Sequence, residues 1–538
     1  MATDDVVIIG AGMGGLSAAA LLAARGLSVI VIEKEASVGG KIRQLPVGGR
    51  LVAAGPTVFT MRSLFEELFD DCGANFADAV PATRVATLAR HAWADGRQLD
   101  LHADHGASVD AISAFAGAGE GRAYSAFAAE AAQIWSTLDG AFLRRQKTNP
   151  IGLTWRLGLS RLTELQAVRP YQTLWSALRG QFRDPRLVQL FARYATYCGC
   201  SPFKAPATLM LIAHLEASGV WRVEGGLHRV ASAVASLAER NGARFRMGTA
   251  VSEIIVEKGR ATAVRLATGE RIEATRIIAN CDPSAIGSGL FGTAAKRAVG
   301  ATEASKRSLS AMTWTIVGEA DGFALDLHNI FFSGNYRREF DEIASGRLPS
   351  DPTVYVCAQD RGANATPDRS ERFQIIVNAP AIGDHNPPTD SEINRCESAM
   401  LNCLRSTGLS LHWKPDGHAR ASPTDYERLF PSTGGALYGR ASHGPVGSFL
   451  RPGSRTRIPG LYLAGGSTHP GAGVPMAALS GRLASEALLQ DRAKAGRVSM
   501  SMFRPGAMPG GMSTPCQTTG ATASPLSPSS APSSRPIM

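Results

Sequence analysis

The sequence predicts an α/β fold in which a Rossmann-type dinucleotide-binding domain is interleaved with a mixed α+β substrate domain. Three observations predict it. A strand, a glycine-rich loop and a helix stand in that order near the start, over residues 6–33. A second unit of the same kind stands at 461–489. Between them lie a helical stretch and several strand patterns, so a nucleotide site that uses both units is assembled from separated pieces of chain.

The first unit opens with the apolar strand pattern Val6–Ile9. Gly10, Gly12 and Gly15 follow as G-x-G-x-x-G, with Gly14 inside the motif. The first glycine allows the tight turn, the second lets the backbone approach a pyrophosphate, and the third lets helix and strand pack closely. The Ala- and Leu-rich run Leu16–Arg25 reads as a helix. Its N-terminus offers free N–H groups and a positive dipole end to phosphates. Gly26 closes it as a left-handed cap. Ser28–Ile32 reads as the next strand and ends at Glu33. A carboxylate there can accept from both ribose hydroxyls and repels a 2′-phosphate. Val38-Gly39-Gly40-Lys41 adds a glycine pair and a cation beside the same nucleotide.

Residues 84–240 read mainly as helices, with strand signal near His91–Leu101. Strands are expected at Arg244–Met247, Val251–Val256, Ala261–Leu266, Arg271–Ile272 and Arg276–Ala279, then at Met312–Val317, Thr353–Ala358 and Phe373–Asn378. Glu392–Leu404 reads as an amphipathic helix. The far unit is a buried strand at Leu461–Ala464, a loop from Gly465 to Gly473, and a helix over Pro475–Leu489. Pro475 suits the first turn of that helix. Its N-terminus, at Val474, Pro475 and Met476, can stabilise negative charge on the pyrimidine side of a reduced flavin. The two units together point to FAD rather than NAD as cofactor. From about residue 496 the chain turns to Ser, Pro, Thr, Gly and Met with no acidic residue, and disorder is expected there. The expected organisation is a FAD-binding domain in three parts (1–83, 241–290 and 456–495), a helical substrate part with possible membrane contact (84–240), and a substrate domain (291–455).

Composition narrows the class. A chain of 538 residues exceeds one ordinary compact domain. A net charge of +10 suits nucleic acid, an anionic membrane or an anionic cofactor. No basic run or basic–aromatic motif supports nucleic acid, and none is expected as a partner. The eight cysteines fit no metal spacing, so no metal is expected, and their usage suits a reducing cytoplasm. Cys198 and Cys200 read as small core residues. Asp4 and Asp5 before the first apolar run argue against a signal peptide. No stretch reaches 18 uninterrupted apolar residues, so attachment to a membrane is expected to be peripheral, on the cytoplasmic side. Ile151–Asp184, with Trp155, Tyr171 and Trp175 among Arg156, Arg161, Arg169, Arg179 and Arg183, is the candidate interfacial segment.

The chain resembles the phytoene-desaturase-like flavoproteins, which have an amine-oxidase-type fold. The segments that carry the resemblance are Val7–Gly15, Glu33–Lys41, Ala54–Arg62, Glu224–Leu227, Ala279–Pro283 and Leu461–Ala478. It is expected to extend over roughly residues 5–490. Gly55-Pro56-Thr57-Val58, followed by Thr60-Met61-Arg62, is most similar to the hydroxyneurosporene (methoxyneurosporene) desaturase branch. The resemblance implies FAD-dependent 3,4-desaturation of an acyclic 1-hydroxy or 1-methoxy carotenoid, drawn from a membrane. It implies FAD contacts at Gly10, Gly12, Gly14, Gly15, Glu33, Lys41, Gly55, Val251, Gly465 and Val474–Met476. At Val251 only the main chain would meet the adenine. Ala54 departs from the pattern, which carries an acidic residue there. Desaturation of phytoene or another acyclic carotene, flavin-dependent isomerisation and non-catalytic carotenoid binding are the alternative readings. Oxygen and a membrane quinone both stay open as the terminal electron acceptor. No catalytic residue is assigned. His469, in the far glycine loop, is weighed as an acid/base against a structural histidine, and Arg62 and Arg145 as contacts to a polar substrate end.

Overall fold

The computed structural model describes residues 4–158, 168–362 and 369–502. One compact unit runs to Asp491. Its nucleotide-type sheet has seven strands. Five are parallel, in the spatial order Arg244–Arg246, Val29–Ile32, Asp4–Ile9, Arg271–Ala279, Leu461–Leu463. Asp4–Ile9, near the middle, is an unbroken apolar run after its two aspartates, and Val6, Val7 and Ile8 are fully buried. Apolar residues on both faces are what a parallel strand covered on both sides requires. Val251–Glu257 and Arg260–Leu266 extend the sheet as antiparallel strands off Arg271–Ala279. That strand is continuous where the sequence suggests two short ones, because its charged middle (Glu273, Arg276) pairs by backbone.

The first helix, Met13–Ala23, is buried along its whole length. It ends as expected at Gly26, with φ +76°. The Gly26 N–H donates to Ala23 O at 2.8 Å and the Leu27 N–H to Leu22 O at 3.2 Å, the double closure that satisfies the last carbonyls. The helix His228–Arg240 packs beside it.

The second sheet also has seven strands, in the order Ser410–Ala421, Ser310–Asp321, Glu371–Ala379, Val354–Ala358, His328–Phe331, Thr87–Ala92, Gln98–His102. All neighbours are antiparallel except His328–Phe331 with Thr87–Ala92. The strands His328–Phe331 and Ser410–Ala421 escape the sequence reading: the first is very short, and the second is interrupted by Pro415 and Gly417. The hairpin of Gln44–Val47 and Arg50–Ala53 was also not expected; its Gly48-Gly49 turn has two positive φ values.

The described helices between 105 and 218 share an apolar core with the strands Thr87–Ala92, Gln98–His102 and His328–Phe331. Ala118–Leu138 runs into a wider π turn over Asp139–Leu143. The last helix is longer than expected: it spans Val474–Met502, so residue 496 is not a boundary of secondary structure. The expected disorder beyond 502 lies outside the described residues.

Candidate active site

The two glycine-rich loops meet, and one side chain joins them. Asn280 follows the strand Arg271–Ala279. Its backbone N–H donates to Ile9 O at 2.8 Å, and its Nδ2 donates to Gly10 O at 3.1 Å. A Cβ on Gly10, Gly12, Gly14 or Gly465 would stand within 3.6 Å of an Asn280 atom. Gly10 (φ +97°) and Gly465 (φ +111°) also adopt backbone geometry that other residues resist. A Cβ on Gly14 would lie 2.6 Å from the Gly465 nitrogen, so the N-terminal and C-terminal loops touch backbone to backbone. The motif was legible in the sequence, but Asn280, which locks it, was not given a role. Its signal was present: an Asn between a buried strand and the helix-starting Asp282-Pro283.

These loops line one end of a cavity of about 1710 Å³. Gly10, Gly12, Gly14, Glu33, Lys41, Gly55, Val251, Gly465, Val474, Pro475 and Met476 all stand on its wall. Gly15 does not reach it; a Cβ there would lie 2.2 Å from Gly10 O, so its smallness serves helix–strand packing. Glu33 is buried, with its two oxygens accepting the N–H groups of Ala11 (2.6 Å) and Glu35 (2.9 Å). Each oxygen keeps a further lone pair for a hydroxyl donor. Gly55 packs on the Lys41 carbonyl, which a Cβ would meet at 2.1 Å. Lys41 Nζ donates to Leu437 O and lies 5.1 Å from the Phe430 ring centroid. Burial draws its ammonium down to about 8, against Asp282, which raises it; Arg451 lowers it further.

Arg451 is almost wholly buried and lines the same wall. Its Nη1 donates to Tyr438 O (2.8 Å) and Gly466 O (3.2 Å). No local pattern marks this arginine; only the folding of 438–466 around it makes it an interior cation. Ser467 donates to Asp282 Oδ2 at 2.6 Å and ties the far loop to the helix that Asp282 caps.

The wall is also apolar, with Trp135, Leu138, Phe142, Leu209, Ile212, Ile330 and Tyr336 on it. Pro150, Leu153, Thr154 and Tyr171 also line the cavity, and Tyr171 is 90% exposed, so it reaches the surface there.

Three residues weighed from the sequence stand off this wall. His469 is buried; its Nε2 lies 2.9 Å from Arg145 O and 3.1 Å from Phe142 O, and its ring sits edge-on to Phe142. Burial holds it neutral, down to about 4. Arg62 is stacked on Trp221 at 4.7 Å and paired with Glu66 at 2.8 Å. Arg145 is exposed. Cys198 and Cys200 are free thiols, and burial raises both. No cluster of His, Cys, Asp and Glu suited to a metal occurs among the described residues.

A parallel nucleotide sheet, a glycine cradle closed from both ends of the chain, and an apolar cavity continuous with it define a dinucleotide-dependent oxidoreductase. Residues 13–489 match the family described as flavin containing amine oxidoreductase, and the chain belongs to that family. The cofactor is accordingly FAD, and the glycine cradle, Glu33 and the two cations fit it. The chain is 48% identical to the hydroxyneurosporene desaturase of Rubrivivax gelatinosus, over 97% of this chain and 99% of that one. It is 43% identical to the protein of the same name from Cereibacter sphaeroides, over 91% and 99%. The coverage in the first pair reaches beyond residue 490, so part of the tail expected to lie outside the resemblance is shared. Two solved structures agree in fold: an oxidoreductase from Methanosarcina mazei (16% identity, 90% and 100% covered, TM-score 0.56) and a putrescine oxidase (15%, 91% and 99%, TM-score 0.56).

Proposed function

We propose that this protein is an FAD-dependent desaturase that introduces the C-3,4 double bond into an acyclic 1-hydroxy or 1-methoxy carotenoid. One observation carries the reading: the nucleotide cradle and a large, mainly apolar wall line one cavity, which reaches the surface at Tyr171. Near-full-length identity to two hydroxyneurosporene desaturases supports the same substrate class.

In this reading Gly10, Gly12, Gly14 and Gly465 would leave room for the pyrophosphate and ring system, Glu33 would accept from the ribose, and the Val251 main chain would meet the adenine. Gly55 and Val474–Met476 would border the ring, and the positive helix end at Val474 would favour negative charge on it. FAD supplies the hydride acceptor. The apolar wall holds the polyene extended and excludes water from the reacting carbons. Lys41 keeps a proton at Nζ below about pH 8 and adds positive potential to the ring end of the cavity. A carbon allylic to a polyene shares developing positive charge along the chain, so the second hydrogen leaves as a proton to a weak acceptor such as water. No strong base is required of the wall.

The division into a three-part FAD domain (1–83, 241–290, 456–495) and two substrate parts (84–240, 291–455) belongs to the same proposal. So does peripheral attachment to the cytoplasmic face of a membrane. Ile151 and Trp155 are 70% and 80% exposed beside the cavity-lining Pro150 and Thr154. An apolar rim around a cavity mouth suits the extraction of a lipid-dissolved substrate. Leu159, Arg161, Leu162 and Leu165 of the expected interfacial segment lie outside the described residues. Trp175 packs inward, 4.6 Å from Phe203, and takes no part in that rim.

The test supplies the flavin-loaded protein separately with 1-hydroxyneurosporene, neurosporene and phytoene. Loss of two hydrogens from the hydroxylated carotenoid, read by mass and absorption, is the expected product. Desaturation of phytoene in preference, or isomerisation with no change of mass, would overturn the assignment.

A further inference from the structure

The apolar half of the cavity contains one buried ionic cluster that the desaturase reading leaves without a task. Arg193 opens the tight turn Arg193–Cys198, and Glu216 lies on the helix Leu211–Ser218. They are 6% and 2% exposed, and both line the cavity together with Tyr197. The Tyr197 hydroxyl donates to Glu216 Oε1 at 2.8 Å, and the Tyr194 hydroxyl donates to Oε2. Arg193 Nη1 donates to the Tyr197 oxygen at 2.8 Å. Arg193 Nη2 is 3.7 Å from Glu216 Oε1, and neither Nη2 nor Nε makes a hydrogen bond.

The carboxylate is therefore well supplied with donors, whereas the guanidinium of Arg193, a residue that lines the cavity, keeps two buried donors without an acceptor. Buried donors left without an acceptor are costly, and a ligand that brings one removes the cost. Glu216 already neutralises the charge, so the missing partner is an uncharged oxygen rather than a carboxylate. The cluster shares its cavity with Gly55, Thr57 and Tyr355. His328 Nδ1 lies 2.7 Å from the Tyr355 hydroxyl, which in turn donates to Thr57 Oγ1 at 2.7 Å, just past Gly55-Pro56. The charge of Arg193 reaches this relay and helps burial push His328 down to about 3.

We propose that Arg193, held by Tyr197 and Glu216, binds the oxygen at C-1 of the carotenoid and so sets which end of the chain reaches the flavin. The inference rests on the desaturase reading for its substrate. The C-1 oxygen is only a few bonds from the C-3,4 bond, so a donor residue on the wall of the same cavity as Gly55 and Thr57 fits the position of the reacting carbons. Because the guanidinium only donates, a methoxy oxygen serves as well as a hydroxyl, and a hydrocarbon end does not.

The test compares FAD-loaded wild type with the charge-balanced double variant Arg193→Met/Glu216→Gln. Carotenoid retained on the protein is read by absorbance, alongside kcat/KM, for 1-hydroxyneurosporene and neurosporene. Wild type is expected to prefer the hydroxylated chain by on the order of 10–100-fold, the value of a hydrogen bond from a charged donor. The double variant is expected to lose most of that preference while keeping its flavin and its affinity for neurosporene. An unchanged preference overturns the inference. If the double variant does not fold, Tyr197→Phe decides. It removes the hydroxyl between Arg193 and Glu216 without a change of charge, and should weaken the preference by roughly threefold or more; an unchanged preference again overturns the inference. The two readings fail separately. Wild type that binds the hydroxylated chain selectively but desaturates nothing overturns the desaturase assignment alone. Desaturation with the same selectivity in the variants overturns only the role of Arg193.

Discussion

Gly481→Ala is expected to loosen the flavin from the protein, although the residue is not on the cavity wall. Gly481 lies on the helix Val474–Met502, where alanine is the better helix former by about 1 kcal/mol. Propensity alone therefore predicts stabilisation. The tertiary contact opposes it: a Cβ on Gly481 would lie 2.2 Å from Gly14 O and 3.0 Å from Gly14 C. Both atoms are backbone, fixed in a helix buried on all sides, so neither can swing away as a side chain tip would. Separation to ordinary contact needs the two helices to part by about 1 Å, and overpacking of that kind costs about 1–3 kcal/mol or more. Gly14 is also the residue whose Cβ position meets Gly465, so the shift opens the junction of the two glycine loops. The net expectation is lower stability by about 1–2 kcal/mol and a reduced flavin-to-protein ratio. The assay is flavin absorbance per protein after gel filtration, with thermal melts in the presence and absence of added FAD. Gly180→Ala provides the opposite case. Gly180 is on the helix Leu174–Gln181, and nothing stands within 4 Å of its Cβ position, so the same change should raise the melting temperature and leave the flavin alone. A Gly481→Ala protein that melts as high and holds as much flavin as its parent would refute the reasoning.

Three further outcomes follow from the same geometry. Asn280→Ala removes the bond to Gly10 O and should weaken flavin retention by about 1–3 kcal/mol, read as a higher Kd for FAD by fluorescence quenching. In the flavin-free protein, Lys41 binds its proton less readily folded (about 8) than unfolded (10.5). Between those values the unfolded chain holds the extra proton, so stability should rise with pH from about 8 to 10.5, and Lys41→Met should flatten that slope in denaturant titrations. Trp155→Ser with Ile151→Ser should lower the fraction that floats with anionic liposomes while leaving flavin content unchanged; equal flotation would remove this rim from the membrane proposal.

Local sequence determined the nucleotide half of the site because each requirement there is itself local. A turn that must pass close to phosphate needs Gly10 and Gly12, a helix cap needs Gly26, and a strand buried on both faces needs the unbroken run Val6–Ile9. The far strand–loop–helix around Gly465 is legible for the same reason. The two units together extended that reading to FAD, the resemblance extended it to the family, and the cavity, with eleven of the twelve expected contacts on its wall, was assembled around the same residues. Only the tertiary structure decided the rest. Asn280 matters because it closes a junction between segments hundreds of residues apart, and nothing in its neighbours' spacing states that closure. Gly481 has no turn to make; it is small because another helix's carbonyl lies against it. Arg451, Arg193 and Glu216 read along the chain as ordinary charges, the kind that face water. Their burial, and the unused donors of Arg193, arise from long-range packing that removes water from around them, which raises the energetic weight of each hydrogen bond they make or lack. The sequence by itself therefore determined the cofactor and the class of chemistry, and the fold decided which polar groups stand on the cavity wall.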